Sequence, residues 1–318
     1  MEEPVPIEII AAESLGVRGM CCLVAAGTRR ILIDPGIALG YERHGLLPHP
    51  CQVAAGIRIR EKILQAIHKA TDVVFSHFHG DHIPLRGANP YQLSFRQLPG
   101  CFQKLHCWSP AAAKMTPRMQ QRAEDLTALL GASHMRAAVG HIAGPLRFSK
   151  LLSHGMPGGR FGNIMMTRIE LGGGQVFVHA SDTQLLDEQA VEIILDWQPS
   201  VVLAAGPPLY LQSLAASQRK KAWEHGVRLA RNVAVLIVDH HVLRSEQGIL
   251  WLERLSQTVG KKVYCAADFM GQPRLLLEAR RRELYSKMPV PEQWHHDYAH
   301  SRIAVEPGTF ERCIGLLA

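Results

Sequence analysis

Residues 72–82 read Asp-Val-Val-Phe-Ser-His-Phe-His-Gly-Asp-His, so an apolar stretch runs directly into three histidines and one aspartate. The β-branched residues Val73 and Val74, followed by Phe75, predict a short buried strand. In extended backbone, residues i and i+2 point to the same side, so His77 and His79 can hold one metal ion. After a turn, Asp81 and His82 can point back towards a second ion. Chance matches to this spacing are expected on the order of 10⁻³ times in such a chain, so the motif is specific.

The donor types in this motif indicate the kind of metal that it would bind. Imidazole nitrogen combined with carboxylate oxygen suits zinc, with iron and manganese as alternatives. Gly80 is expected to let the chain turn sharply between the two pairs of donors. The chain has 17 histidines, and histidine is the commonest metal ligand in proteins. The sequence therefore predicts a site for two divalent metal ions.

Composition predicts a folded protein with a large core. The chain has 318 residues, of which 47% are hydrophobic and 20% are charged, and these values exclude wholesale disorder. The net charge is +7, which favours small anionic substrates or nucleic acid as partners. Two basic runs, 219–221 and 280–282, are predicted to be solvated helix faces.

A cytoplasmic location away from membranes is expected. The first residues carry no apolar segment of the kind found in signal peptides. No apolar run reaches the roughly 18 residues of a membrane helix. The seven cysteines form no Cys-x-x-Cys pair, and their number is odd. This pattern favours a reduced cytosol over a disulfide framework.

Short strands and helices alternate along most of the chain, which predicts an α/β layered fold. Strands are expected over 7–11, 20–26, 30–33, 72–76, 164–171, 176–180, 200–204 and 233–238. Helices are expected over 57–70, 117–130, 187–197 and 215–231, followed by a helix-rich end over 245–286 with a short strand near Val263. Prolines and glycines break this rhythm after Arg86. Residues 86–150 are therefore predicted to be a helical insertion or cap within a single domain spanning 1–318.

The motif at 77–82 resembles the hallmark of the metallo-β-lactamase superfamily, in which His-x-His-x-Asp-His follows a buried strand. That family has a further His, Asp and His at strand ends, for which His154, Asp182 and His240 are the candidates. Asp34 matches an early structural Asp of the family. The resemblance covers most of residues 5–245. It implies a four-layer αβ/βα sandwich with metals at one edge, between two mixed sheets.

Within this superfamily, the chain is more closely similar to an uncharacterised, largely archaeal branch of predicted metal-dependent hydrolases. The shared phrases are Glu13–Arg18, Ile33–Gly36, Leu47–Pro50, His179–Asp182, Gly206–Pro208 and Asp239–His241. This resemblance specifies the expected fold and metal site more closely than it specifies the reaction.

The resemblance also implies a set of site residues. One metal would be held by His77, His79 and His154. The other metal would be held by Asp81, His82 and His240, with Asp182 bridging the two. The residues that would act in catalysis are Asp81, His241 and Arg244. The residues that would support the ligands by hydrogen bonds are Asp34, Ser76 and Ser181.

Some of these assignments have competitors. His240 and His241 are neighbours, and only one of them would face the site from a strand. His240 is preferred, because with Arg244 it forms the His-x-x-x-Arg pattern that resembles the last motif of the superfamily's RNA-processing nucleases. His241 would then be a proton donor. Asp182 would otherwise be a helix N-cap.

His154 competes with His134 and His141 for its place in the site. It is preferred because the glycines that follow it, in 155–159, indicate a tight loop beside a ligand. The residues that could bind a substrate anion are Arg18, Arg160, Arg244 and Tyr210.

Two further patterns have no role in this scheme. The tail segment 294–298, with His300, would be another metal site, a lid, or an exposed polar segment. Cys101 and Cys107 flank His106 in a weak zinc-like pattern, for which ordinary packing is the alternative.

The predicted function is that of a dinuclear metal-dependent hydrolase. A metal-bridging hydroxide would cleave an ester-type bond in a small-molecule ester, a lactone or a phosphodiester. The alternative within the same chemistry is a nuclease acting on RNA or DNA. Two other classes remain open, a redox protein with two irons and a non-catalytic metal-binding module. A homo-oligomer is compatible with the sequence.

Overall fold

Alternating burial along the strands places one face of each sheet against a partner sheet and the other against helices. The computed structural model describes residues 6–110 and 115–317. The first sheet has six strands in sequential order: β1 (Ile7–Ile9), β2 (Cys22–Ala26), β3 (Arg29–Ile33), β4 (Asp72–Val74), β5 (His106–Ser109) and β6 (Met135–Ala137). Strands β1 to β3 are antiparallel, and β3 to β6 are parallel.

The second sheet also has six strands, in the order β14-β13-β12-β11-β8-β7. These strands are β7 (Ile142–Ala143), β8 (Leu146–Phe148), β11 (Thr167–Gly172), β12 (Gln175–His179), β13 (Val201–Ala204) and β14 (Val235–Val238). Strands β12 to β14 are parallel. A small hairpin stands apart, formed by β9 (Leu152–Ser153) and β10 (Asn163–Ile164).

The helices cover the outer faces of the two sheets. They are α1 (Pro50–Lys69), α2 (Pro117–Leu130), α3 (Glu188–Asp196), α4 (Ala216–Asn232), α5 (Gln247–Val259), α6 (Ala266–Phe269), α7 (Arg281–Lys287), α8 (Trp294–Ala299) and α9 (Thr309–Leu317). Three short 3₁₀ turns span Phe95–Gln97, Gly100–Lys104 and Val242–Arg244. In the described part of the chain, no helix is both long and apolar enough to cross a membrane.

Side-chain alternation in the first sheet divides the core into layers. Ile33 and Val74 belong to the cluster that faces the second sheet, where Phe177 is buried. Their neighbours Leu32 and Val73 belong to the cluster that packs under α1 and α2. Buried residues of α3, α4 and α5 pack on the far side of the second sheet. The predicted four-layer αβ/βα sandwich is therefore confirmed.

Helix α1 begins seven residues earlier than the predicted start at residue 57. His49 caps it, since its Nδ1 accepts a hydrogen bond from the N–H of Cys51 at 3.1 Å. Pro50 occupies the first helical position, where the missing N–H costs nothing. The Leu-Pro-His-Pro phrase reads as a loop by composition, so the cap was missed. Near Val263, the structure has a single bridge, from Ile237 to Tyr264, instead of a strand.

The segment 86–150, predicted to be an insertion or cap, supplies strands to both sheets. It contains β5 and β6 of the first sheet and β7 and β8 of the second. These strands are two to four residues long and lie among prolines and glycines, so no period-two pattern marks them. Only part of the segment, including the start of α2, lies beside the candidate site.

Two expectations from composition are wrong. Cys51 and Cys313 form a disulfide that joins α1 to α9, whereas the cysteine pattern favours reduced thiols. A pair 262 residues apart leaves no local spacing to detect. Arg281, in the second basic run, is fully buried rather than solvated. It donates hydrogen bonds to the carbonyl oxygens of Gly40 (2.6 Å) and Leu46 (2.8 Å).

Asp72, at the start of β4, joins three parts of the first sheet. It is buried, and its carboxylate accepts hydrogen bonds from Arg29 Nε and Trp108 Nε1, both at 2.9 Å. The hydroxyl of Thr71 donates a further bond at 2.7 Å. Burial alone would raise the pKa of Asp72, but the bonds from Arg29 and Trp108 hold it below its usual value.

We expect Asp72→Ala to lower the free energy of unfolding by about 2–3 kcal/mol, because it leaves Arg29 and Trp108 without their acceptor. Urea denaturation at neutral pH measures this loss. The lowered pKa means that the stabilisation is present above the usual Asp pKa, and the gap between the two proteins should close as the pH falls below about 4. The control is Glu170→Ala, which removes an exposed ion pair with Arg168 and should change stability by less than about 0.5 kcal/mol. Equal losses in both variants would contradict the assignment.

Candidate metal centre

Asp34 connects the end of β3 to the histidine motif. Its carboxylate accepts hydrogen bonds from the backbone N–H of Ser76 at 2.7 Å and from the Ser76 hydroxyl at 2.5 Å. The same carboxylate lies 2.9 Å from Nδ1 of His82. The Ser76 hydroxyl in turn lies 2.9 Å from Nδ1 of His77. Both rings are thereby held through Nδ1, which leaves their Nε2 atoms free for other partners.

Two glycines bring the backbone close to this motif. A Cβ on Gly36 would lie 2.2 Å from the backbone nitrogen of Ile83, so only glycine fits beside the motif. Gly80 does not have the positive φ of a sharp left-handed turn, which corrects the expected reason for its presence. An added Cβ there would lie 3.0 Å from Nη2 of Arg122. Gly80 therefore provides space for this guanidinium.

Asp182 enters the site from the end of β12, in the second sheet. The preceding residue, Ser181, has a φ of 52°, so the chain turns sharply after the strand. The Ser181 hydroxyl donates a hydrogen bond to the Ser76 hydroxyl at 2.7 Å. This contact joins the two sheets directly behind the site.

His240 and His241 follow β14, and both face Asp182. His240 has a φ of 57°, and its N–H donates to the Asp239 carboxylate at 2.6 Å. A continued strand would direct only one of the two histidines into the site. Because the chain has left strand geometry here, the expectation that only one faces the site does not hold.

The Asp182 carboxylate is the centre of the cluster, with each oxygen facing a different set of imidazoles. Oδ2 lies near three Nε2 atoms, those of His154 (2.8 Å), His241 (3.3 Å) and His77 (3.5 Å). Oδ1 lies near the Nε2 atoms of His82 (3.2 Å) and His240 (3.6 Å). His79 joins the first set, with its Nδ1 3.0 Å from Nε2 of His77. Asp81 joins the second, with Oδ2 3.5 Å from Nε2 of His240.

This donor set fits divalent cations. Within the described residues, four overlapping groups bring ligand atoms within 4.8 Å of one another: His77/His79/His154/Asp182, Asp34/His77/His82, Asp81/His82/His240 and Asp182/His240/His241. His82 Nε2 and Asp182 Oδ1 are buried and have no hydrogen-bond partner. Buried polar atoms without partners are costly, and a cation between these two would satisfy both.

The charges in the cluster also suit a cation. Burial would raise the pKa of Asp182, but the charges of His82 and His240 outweigh it and hold that pKa well below its usual range. Burial and the neighbouring His77 lower the pKa of His79 to about 2, and burial and Arg244 lower that of His241 to about 4. Ionised carboxylates and neutral imidazoles are the forms that bind metals.

His82 is the exception among these histidines. Burial would lower its pKa, but the carboxylates of Asp182 and Asp34 raise it well above its usual value. An imidazole between two buried carboxylates takes up positive charge, and a cation on Nε2 would supply that charge instead.

Arg244 lies at the rim of the second set of donors. Its Nη2 is 2.7 Å from Nε2 of His240 and 3.4 Å from Oδ2 of Asp81. Its Nε is 3.5 Å from Oε2 of Glu13, and Nη1 donates to the Tyr210 hydroxyl at 3.4 Å. The sequence analysis missed Glu13, although it opens the phrase 13–18 shared with the archaeal branch.

Asp239 is a second residue that the sequence analysis missed. Its carboxylate accepts hydrogen bonds from the hydroxyl of Ser14 and from the N–H groups of Ser14, His240 and Ala266. It therefore fixes the turn that carries the two last histidines. The sequence does contain a signal for it, because Asp239 lies directly before His240 in a phrase shared with the archaeal branch.

The structure brings together all the predicted ligands and their predicted supports, and of the competing histidines only His241 lies in the cluster. His134 and His141 are exposed and away from the cluster. In the tail, His295 lies between the hydroxyls of Tyr91 and Tyr285, while the rings of His296 and His300 are in contact at a tilted angle. Neither the tail histidines nor the Cys101/Cys107 pair belongs to any of the metal-holding groups found in the described part of the chain.

A cavity of about 410 Å³ opens beside the cluster. Its lining includes His79, Asp81, Arg18 and residues from the start of α2. The guanidinium of Arg18 is bound by Glu278, with Nε 2.6 Å from Oε2 and Nη2 2.5 Å from Oε1. Arg18 is therefore less available to a substrate anion than the sequence implies. Arg160 is exposed beside the Phe161 ring.

Two packed mixed sheets, covered by helices and carrying a His/Asp cluster where parallel strands end, define a protein of the metallo-β-lactamase fold. The chain belongs to the UPF0282 family. It is 44% identical over 300 residues to a UPF0282 protein from Methanosarcina mazei. This alignment covers 94% of this chain and 98% of that protein. It is 32% identical over 285 residues to one from Pyrococcus furiosus, covering 87% and 90%. The predicted resemblance to an archaeal branch is thus confirmed.

Other comparisons give weaker similarity. No protein-family model matches the chain. An isothiocyanate hydrolase from Delia radicum gut bacteria has a TM-score of 0.47 at 14% identity, covering 78% of this chain and 93% of that structure. A putative metallo-β-lactamase from Thermotoga maritima has a TM-score of 0.34 at 11% identity, covering 71% and 91%. MEM-A1, a subclass B3 metallo-β-lactamase from a soil metagenome library, has a TM-score of 0.32 at 17% identity, covering 94% and 98%.

We expect Asp182→Ala to weaken metal binding by more than roughly 100-fold, because this carboxylate faces both sets of imidazoles. Metal content by mass spectrometry after dialysis measures the loss. A chelator should lower the melting temperature of the wild type, since bound metal stabilises the folded state, and should leave that of the variant unchanged. The control is His225→Gln, which alters a buried histidine bonded to the Leu185 carbonyl oxygen, away from the cluster. Full metal content in Asp182→Ala would contradict the assignment.

Proposed function

We propose that this protein is a hydrolase that binds two divalent cations and cleaves an ester-type bond in a small molecule. The observation that carries the proposal is the position of Asp182. Its two oxygens face separate sets of donors, with His77, His79 and His154 on one side. On the other side, the set consists of Asp81, His82 and His240. Zinc suits these donors, with iron and manganese as alternatives.

Divalent cations held by these residues would supply an activated water molecule near neutral pH and would polarise the bond under attack. The chain itself supplies the charge and orientation around them. Asp182, which is buried, and Asp81, which lines the cavity, provide two negative charges that would offset the cations. Asp34 and Ser76 hold His77 and His82 through Nδ1, which keeps the Nε2 atoms directed inward.

Two buried side chains that contact the cluster would act on the substrate. Arg244 holds a positive charge against Asp81, where it can stabilise negative charge that develops on a scissile carbonyl or phosphoryl group. Its position is held by Glu13 and Tyr210. His241, whose Nδ1 is buried without a partner, is either a further donor to the first set or a group that carries a proton to the leaving group.

A small substrate is favoured over nucleic acid by the distribution of basic residues. The run 280–282 contains the buried Arg281. In the run 219–221, the guanidinium of Arg219 donates hydrogen bonds to the carbonyl oxygens of Leu209, Leu211 and Leu214. Neither run is a free basic patch of the kind that binds phosphate backbones.

We expect the protein, loaded with zinc, manganese or iron, to hydrolyse at least one class of small ester-type compound, and we expect a chelator to abolish this activity. The panel consists of p-nitrophenyl esters, lactones, thioesters and bis(p-nitrophenyl) phosphate. Asp182→Ala should lower kcat/KM by roughly 10³-fold or more, because both cations lose a ligand.

The same panel separates the alternatives. His225→Gln should keep wild-type activity and is the matched histidine control. Cleavage of RNA or DNA without turnover of any small compound would replace this proposal with the nuclease. Iron content with no hydrolysis of any compound in the panel would favour the redox class.

A further inference from the structure

Two arginines line the cavity beside the metal centre, and neither forms an ion pair with a carboxylate of the described residues. Arg118 and Arg122 lie one turn apart on α2, so their side chains extend from the same face, and both line the cavity. No carboxylate lies within ion-pair distance of either one among residues 6–110 and 115–317. By contrast, Arg18, in the same cavity, is bound by Glu278.

The position of Arg122 is fixed against the histidine motif. Its Nη1 donates to the Phe78 carbonyl oxygen at 3.3 Å, and its Nη2 lies over Gly80, as the contact of an added Cβ indicates. Its remaining N–H groups make no hydrogen bond within the described residues. An anion bound by Arg122 would therefore lie next to His79 and Asp81, which also line the cavity.

The two guanidinium groups also destabilise each other in the free protein. Burial and the nearby positive charge of Arg118 lower the pKa of Arg122, and the carboxylate of Asp81 opposes this shift without cancelling it. Like charges four residues apart on a helix are unfavourable, and here Arg122 is partly removed from water while Arg118 is exposed. The repulsion between two such arginines is relieved when a doubly charged anion binds between them. Arginine is well suited to this, since its planar fork binds phosphate through two parallel hydrogen bonds.

The rest of the cavity indicates what the anion is attached to. Tyr41 and Phe161 line it and are exposed by 58% and 43%, which is unusual for large apolar side chains. They offer a surface for a planar or apolar part of a ligand. The polar groups of Asn89 and Gln92 lie on the same wall.

We propose that Arg118 and Arg122 form a subsite for a phosphate group that the substrate carries beside its scissile ester bond. This inference rests on the proposed function, because it treats the bound molecule as a substrate. Binding of an anion by the two arginines does not depend on that function. Two cationic groups match the charge of a phosphate at neutral pH, of about −1.5 to −2, better than that of a carboxylate. The subsite would select phosphorylated esters over neutral ones.

The test uses phenylphosphonate, whose P–C bond resists hydrolysis, as the probe, with benzoate and benzamide as the carboxylate and neutral arms. Isothermal titration calorimetry is performed on the metal-replete protein. We expect phenylphosphonate to bind more tightly than benzoate, and benzamide to show no measurable binding. Arg118→Gln and Arg122→Gln should each weaken phenylphosphonate binding by at least about tenfold, with unchanged metal content.

The matched control is Arg96→Gln, which removes one positive charge from an exposed residue outside the cavity and should leave binding within about twofold of wild type. Equal binding by wild type and both cavity variants would overturn the subsite, and so would weaker binding in the control alone. Equal affinity for benzoate would overturn the assignment to phosphate. If arginine-dependent binding is observed but no ester is hydrolysed, the proposed function fails and the subsite remains.

Discussion

The buried carboxylate of Asp182 is the constraint on which the rest of the structure depends. It is 2% exposed, and a carboxylate removed from water costs several kcal/mol unless it is paired. The partners come from both halves of the sandwich, since His77 and His82 follow β4 of the first sheet, and His240 and His241 follow β14 of the second. The charge is therefore compensated only where the two sheets pack against each other in this register.

Convergence of these side chains requires the backbone to leave strand geometry abruptly. Asp34, Ser181 and His240 each follow a strand, and each has a left-handed φ, of 48°, 52° and 57°. For residues with a Cβ, this conformation costs roughly 1–2 kcal/mol. Each residue is held by a short hydrogen bond, from Ser76 N–H to Asp34, from the Ser181 hydroxyl to Ser76, and from His240 N–H to Asp239. Packing thus offsets local strain at the three points where chain segments turn into the site.

The sequence predicts the parts of the site that are local in the chain. His77 to His82 were found by spacing alone, because four donors lie within six residues. Asp182 and His240 needed the family resemblance, since a single polar residue after a strand has many explanations. Contacts between distant residues could not be predicted. Glu13 meets Arg244 across the sandwich. The strands of 86–150 are only two to four residues long, too short to show a period, and prolines and glycines lie between them.

Residues late in the chain fix the segment that forms one side of the cavity, although within the described residues those after Arg244 contribute no donor to the cluster. Asp239 binds Ser14, 225 residues away, and Glu278 binds Arg18, 260 residues away. Because Glu278 neutralises Arg18, the positive charge in the cavity is left to the side chains of α2. The electrostatic character of the cavity is therefore set by which arginines the fold pairs with carboxylates, and the net charge of +7 cannot reveal that.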